Sequence, residues 1–194
     1  MKKAISLLGA VLLLAASSSA DNWKIDKPHT SVGFTVTHLV VTKVNGKFND
    51  FDGTIDFDGK NVENGSVNVT IQMASIDTDN EQRDNHLKSA DFFDVEKYPV
   101  MSFKSKKMVK GEANNFKIIG DLTIRDVTKE VTLDAIFNGT IKDPWGGTRA
   151  GFSATGKINR QDFGVKWNKA LETGGFLVGD EVTINIETEL IKAE

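Results

Sequence analysis

The sequence predicts an all-β fold of about eight antiparallel strands, each with one dry face and one wet face. Three observations carry that expectation. Ser31-Val-Gly-Phe-Thr-Val-Thr-His-Leu-Val40 alternates at period two, with Val32, Phe34, Val36, His38 and Val40 on one side. A strand sends successive side chains to opposite faces, and a helix does not. The same alternation returns along the chain, and Asp58-Gly59, Asn64-Gly65, Lys110-Gly111 and Gly146-Gly147 separate the repeats with hairpin signals.

In chain order, Lys2 and Lys3 precede an apolar run from Ala4 to Ala16, and Ser18-Ser19-Ala20 follows it. The run is too short to span a bilayer, so residues 1–20 are expected to be a signal peptide and residues 21–194 a single domain. No later apolar run approaches a span, which makes the periplasm or the exterior the expected destination. The chain has no cysteine, excluding a lipoprotein anchor, a disulfide framework and thiolate catalysis. Its net charge is −3, and about −5 once Lys2 and Lys3 are removed. That mild, mixed charge argues against a nucleic-acid binder.

The remaining strands read as follows. Phe51, Gly53, Ile55 and Phe57 share one face, then Val67, Val69, Ile71 and Met73, then Met101 and Phe103. Phe116, Ile118, Gly120, Leu122 and Ile124 make another, followed by Val131, Leu133, Ala135, Phe137, Gly139 and Ile141. Phe152, Ala154, Gly156 and Ile158 precede the closing set, Val182, Ile184, Ile186 and Leu190. Two stretches interrupt the series. Residues 77–87 open with Asp77 and Thr78, good capping types, and predict a short helix after the third strand that tucks Phe92 and Phe93 under the sheet. Residues 159–177 predict a helical or irregular crossover over one mouth.

Eight such strands either split into two packed sheets or close into a barrel. Gly53, Gly120, Ala135, Gly139, Ala154 and Gly156 all fall on dry faces. Three explanations stand side by side: bulges that bend a barrel, close packing, and space for a ligand.

Several segments, in order, carry a family resemblance. They include Trp23-Lys-Ile-Asp26, Pro28-His-Thr-Ser31, Val44-Asn-Gly-Lys-Phe48, Arg83-Asp-Asn-His-Leu87, Asp91-Phe-Phe-Asp94, Tyr98-Pro-Val-Met-Ser-Phe103, Gly120-Asp-Leu-Thr-Ile-Arg125 and Asn159-Arg-Gln-Asp-Phe-Gly164. The chain resembles the YceI-like family of periplasmic lipid-binding proteins over nearly all of residues 21–194. Asp126 departs from the family pattern, which usually carries glycine after Thr-Ile-Arg. The resemblance implies an extended, lipocalin-like antiparallel barrel holding a polyisoprenoid or similar amphiphile.

Alternation and the two interruptions then give a candidate wall: Phe34, Val36, Phe57, Phe93, Phe103, Phe152 and Trp167, with His38 as a buried polar contact. Arg83, His86, Lys88 and Arg160 are head-group candidates, being charges beside aromatic residues. For His38 a structural hydrogen-bonded role and a metal role are the alternatives, and Arg83-Asp84 is expected to be an ion pair. The histidines, His29, His38 and His86, lie in separate elements without zinc-ligand spacing. Asp50, Asp52, Asp56 and Asp58 lack the closing glutamate of a calcium loop, with Asn61 in its place. No cofactor, metal or catalytic residue is expected, since hydrolase, phosphate-loop and dinucleotide motifs are missing. Lys104 to Lys110 is expected to be a solvated strand face, with transient membrane contact as an alternative. Three functions compete: a carrier of an isoprenoid or fatty amphiphile, an enzyme acting on such a lipid through His38, and a filled barrel acting in stress or as an interaction module. Homodimer formation is left open.

Overall fold

The computed structural model describes residues 21–59, 61–172 and 174–193; the expected leader, residues 1–20, lies outside them. Among the described residues the alternating segments form eleven strands. They are β1 (Asp21–Ile25), β2 (Ser31–His38), β3 (Thr42–Phe48), β4 (Phe51–Phe57), β5 (Ser66–Gln72), β6 (Ile76–Asp77), β7 (Val100–Lys110), β8 (Asn115–Ile124), β9 (Val127–Lys142), β10 (Thr148–Asn159) and β11 (Val178–Lys192). One helix, α1 (Glu81–Lys88), lies between β6 and β7.

Every ladder is antiparallel, and β1, β4, β5, β7, β8, β9, β10 and β11 close a ring of eight. The three extra strands are continuations. Ile25 of β1 pairs with Leu190, and Ser31 of β2 pairs with Glu187, so β1 and β2 are one strand lying along β11. The 3-10 turn Lys27–His29 breaks it, at Pro28, which has no N–H to give to a ladder. β3 with β4, and β5 with β6, are broken at the same level; Asn49 N–H donates to the Ser75 carbonyl at 3.1 Å, and Gln72 N–H to the Asp50 carbonyl at 2.9 Å.

Two bulges explain where period-two reading loses its phase. Gly139 pairs with Gly151 and Phe137 with Phe152, so Asn138 is an extra residue, and Gly139 takes φ +119°. One inserted residue flips every later side chain to the other face. Ile141, expected inside, is therefore 68% exposed. Lys106 is likewise extra between the Ser105–Gly120 and Lys107–Ile119 pairs. Met108 faces the lumen as a result, which corrects the expectation that Lys104 to Lys110 is simply a solvated face.

The inward glycines also resolve. A Cβ on Gly53 would lie 2.4 Å from the Asn68 carbonyl oxygen, one on Gly120 2.5 Å from that of Lys104, and one on Gly156 2.6 Å from Leu133 Cδ2. These three are sites of close approach, and Gly139 belongs to the bulge. The ligand-space explanation survives only for Ala135 and Ala154.

The barrel ends differ. At one end lie the turn 39–41, α1 with residues 89–99, the turn 125–126 and residues 160–172 and 174–177. Asn80, not Asp77 or Thr78, caps α1, accepting from Arg83 N–H at 2.9 Å. Thr78 is buried and does something else: its hydroxyl donates to Asp84 at 2.5 Å and accepts from Arg83 Nε at 2.7 Å. Arg83 and Asp84 are thus joined through Thr78, in place of the expected direct pair. The crossover begins as the 3-10 turn Arg160–Phe163, stopped by Gly164 in the left-handed conformation, and is irregular afterwards. At the other end are residues 58–59 and 61–65 and the loops 111–114 and 143–147.

Candidate functional site: an apolar lumen along the barrel

Strand alternation turns one side chain in two inward, and the lumen is what those side chains leave unfilled. Phe34, Val69, Phe103, Leu122, Leu133 and Ile184 are among its walls, drawn from separate strands. The cavity measures about 250 Å³. On that measure one water needs roughly 10–15 Å³, so this is a chamber rather than a packing defect. On β11 alone the wall runs from Val178 to Thr188. At about 3.3 Å per residue and a strand tilt near 40°, that is roughly 25 Å along the axis. Long and thin, the space suits a chain better than a fused ring system.

Aromatic residues make the floor. Trp23 Nε1 donates to the Phe57 carbonyl at 2.8 Å. The Phe57 ring lies 5.2 Å from Phe137 and 5.3 Å from Phe152, in edge-to-face contact with both, above the fully buried Leu190. The lid is built similarly. His86 stands edge-on to Trp167 at 4.8 Å and to Phe92 at 5.0 Å, and its Nε2 is 2.9 Å from Asp91 Oδ2. Edge-to-face geometry places positive ring edges against negative faces and fixes these rings in orientation.

The residues proposed from sequence divide clearly. Phe34, Val36, Phe57, Phe93, Phe103 and Phe152 face the cavity. Trp167 does not; it is part of the lid. His38 is not the buried polar contact it was expected to be. It sits half-exposed at the end of β2, opposite Thr42 and Val178, with no side-chain hydrogen bond among the described residues. Its ladder partner Val178 lines the cavity, but His38 itself does not. Arg83 is held by Thr78, His86 by Asp91, and Lys88 is half-buried at the helix end.

Arg160 does reach the cavity wall, but its donors are already engaged. Nε donates to the Gly179 carbonyl at 2.9 Å, Nη1 to those of Val165 and Trp167 at 2.7 and 2.9 Å, and Nη2 to Asp180 at 2.9 Å. Burial pulls its pKa below the usual guanidinium value, with Asp180 opposing. Arg160 is best described as the clamp of the crossover.

Two polar assemblies escaped the sequence reading because their members come from distant segments. Arg125 Nη1 donates to the Gly164 carbonyl at 2.9 Å, and its guanidinium lies 5.1 Å from the Tyr98 ring, tying the lid to the β8–β9 turn. On the outer wall, Arg149 reaches Asp26 at 2.7 Å and Asp143 at 2.8 Å, and also bonds Glu189. Burial pushes the Asp26 carboxyl up, but hydrogen bonds from His29 and Arg149 more than offset it and leave the pKa below the ordinary value. The Arg149 hydrogen bond lowers that of Asp143. Asp26, His29 and Glu189 bring ligand atoms within 4.8 Å of one another, but the Arg149 guanidinium is the cation bonded to both carboxylates.

Known proteins match this chain over most of its length. The YceI protein of Escherichia coli O17:K52:H18 is 48% identical over 172 residues, covering 86% of this chain and 88% of the relative. The crystal structure of the Campylobacter jejuni YceI protein superposes with a TM-score of 0.70 at 41% identity, covering 87% of this chain and 96% of that one. A polyisoprenoid-binding domain from Saccharophagus degradans shares the fold at a TM-score of 0.65 and 12% identity, covering 89% of this chain and 99% of that domain. The YceI-like domain itself is matched over residues 23–190, and the chain is a member of the YceI-like family.

Proposed function

We propose that this protein is an exported carrier that holds a polyisoprenoid or similarly long amphiphile in the barrel lumen, for storage or transport, without chemistry of its own. The observation that supports it most is the apolar cavity of about 250 Å³ running along the barrel. Apolar surface leaving water contributes about 25 cal/mol per Å², or roughly 0.8 kcal/mol per methylene. A tail of several five-carbon units therefore gains on the order of 10 kcal/mol before ordering losses. Walls of Phe, Ile, Val and Leu supply that gain without a reactive group. The Saccharophagus domain named for polyisoprenoid binding shares this architecture, and the leader expected at residues 1–20 supports a periplasmic or extracellular location.

Binding of a fluorescent long-chain isoprenol tests the proposal. Saturable, one-to-one enhancement that an unlabelled isoprenol displaces is expected. An absence of saturable binding by folded protein, or equal binding by a short polar alcohol, would count against it.

A further inference from the structure

One connection is richer in exposed apolar residues than the others, although Trp145 in the loop 143–147 is also 85% exposed. Turns 58–65 and 111–114 are largely polar, whereas the turn after β2 presents Leu39, Val40 and Val41 at 40%, 65% and 85% exposure. Leu39 and Val40 also hold left-handed backbone, at φ +52° and +67°. A β-branched residue avoids that region, and a turn needed only to reverse the chain would carry Asn or Gly there. Apolar side chains are thus held in water at a conformational cost, a pattern that concentrates at working surfaces.

A second tip lies against the first. Ala170 bridges Phe176, which is 54% exposed. Leu39 N–H donates to the Leu177 carbonyl at 2.8 Å, and a Cβ on Gly175 would stand 3.2 Å from Val40 Cγ2. Val178, two residues beyond Phe176, faces the lumen, so the apolar tips border the chamber at its lidded end. Lys43, Lys166 and Lys169 are exposed around them, and none forms an ion pair among the described residues. Glu172 is the one acid within residues 165–178, and residues 39–48 contain none, in a chain whose net charge is −3.

We propose that these two tips dock the barrel, lidded end first, on an anionic lipid bilayer, with Val40, Val41 and Phe176 entering the headgroup boundary and the lysines meeting lipid phosphates. The proposal rests on the carrier reading, since a tail that enters the lumen leaves a bilayer to do so. Four partly exposed side chains fall well short of the about 800 Å² per partner that a stable protein interface buries. A shallow apolar insertion with basic flanks is the arrangement that interfacial membrane binding uses.

Flotation with vesicles of phosphatidylethanolamine and phosphatidylglycerol is the test. The protein should float with these vesicles, less so as salt rises. The double variant Val40→Asn, Val41→Ser should bind on the order of tenfold more weakly or worse while melting no lower than the parent, because Asn tolerates the left-handed turn. Phe176→Ser should weaken binding too, and Trp145→Ser, at the opposite end, should leave it unchanged. Failure of the parent to float, or equal flotation of parent and tip variants, overturns the proposal. Sedimentation showing a parent dimer that the tip variants lose would also overturn it, assigning the patch to a second copy. Uptake of the isoprenol from vesicle-free solution separates the two readings: normal uptake without flotation defeats docking alone, and flotation without uptake defeats the carrier alone.

Discussion

Ala135 and Ala154 stand directly opposite each other across the β9–β10 ladder, and both face the lumen. Two large side chains at this pair would cross the chamber. Ala154→Phe is therefore expected to fill it and to lower affinity for the isoprenol at least tenfold, with an overpacking cost of about 1–3 kcal/mol. Gly120→Phe is the contrast. A Cβ there already meets the Lys104 carbonyl oxygen at 2.5 Å, so that variant should lose the folded state before it reports on binding. Titration of the probe and a thermal melt on each variant check both halves.

Arg125 occupies a turn position at φ +58°, a conformation that costs an ordinary residue roughly 1–2 kcal/mol. Its contacts with Gly164 and Tyr98 offset that cost. Arg125→Ala should lose the contacts and keep the strain, while Arg125→Gly loses the contacts but relieves the strain. The Ala variant is thus predicted to be the less stable by on the order of 1 kcal/mol. Both should release a bound probe faster than the parent, as stopped-flow displacement would show.

The Arg149 cluster sets the acid limit. Asp26 and Asp143 titrate below their ordinary values in the folded protein. Their contribution is complete above the unfolded carboxylate value, about 3.9, and is lost as pH falls through the lower folded values. Thermal midpoints should accordingly hold down to about pH 4 and fall below it. Arg149→Met should melt lower than the parent at neutral pH, with the gap closing toward the acid limb. A pH-independent gap would contradict this account.

Trp167 carries the lid, held edge to face by His86. Trp167→Ala should accelerate probe release severalfold while the wall from Phe34 to Phe152 stays as it was. Comparison of dissociation rates with equilibrium affinities distinguishes a lid residue from a wall residue, for which affinity would fall through lost contact alone.

Much of the barrel was legible because period-two alternation is a property of single strands. Phe51 to Phe57 and Phe116 to Ile124 could each be assigned a face without knowing their neighbours. Phase was lost at Asn138 and Lys106, where one extra residue inverts the pattern with no signal of its own beyond Gly139. The glycines misled for a related reason: Gly120 and Gly156 look like empty space in one strand and are filled by the next. His38 follows Val36 in the alternation, but alternation carries no information about which side chains at a strand's end reach the lumen. Arg125 and Arg149 were invisible as site residues because all of their partners but Asp143 lie tens of residues away.

Native mass spectrometry of the protein purified from its own host shows whether the lumen is occupied. A bound species is expected that survives gentle ionisation, is released on denaturation with the mass series of a long hydrocarbon amphiphile, and is missing from Ala154→Phe. Repeated recovery of an empty barrel, or of the same adduct on the filled variant, would contradict the carrier reading.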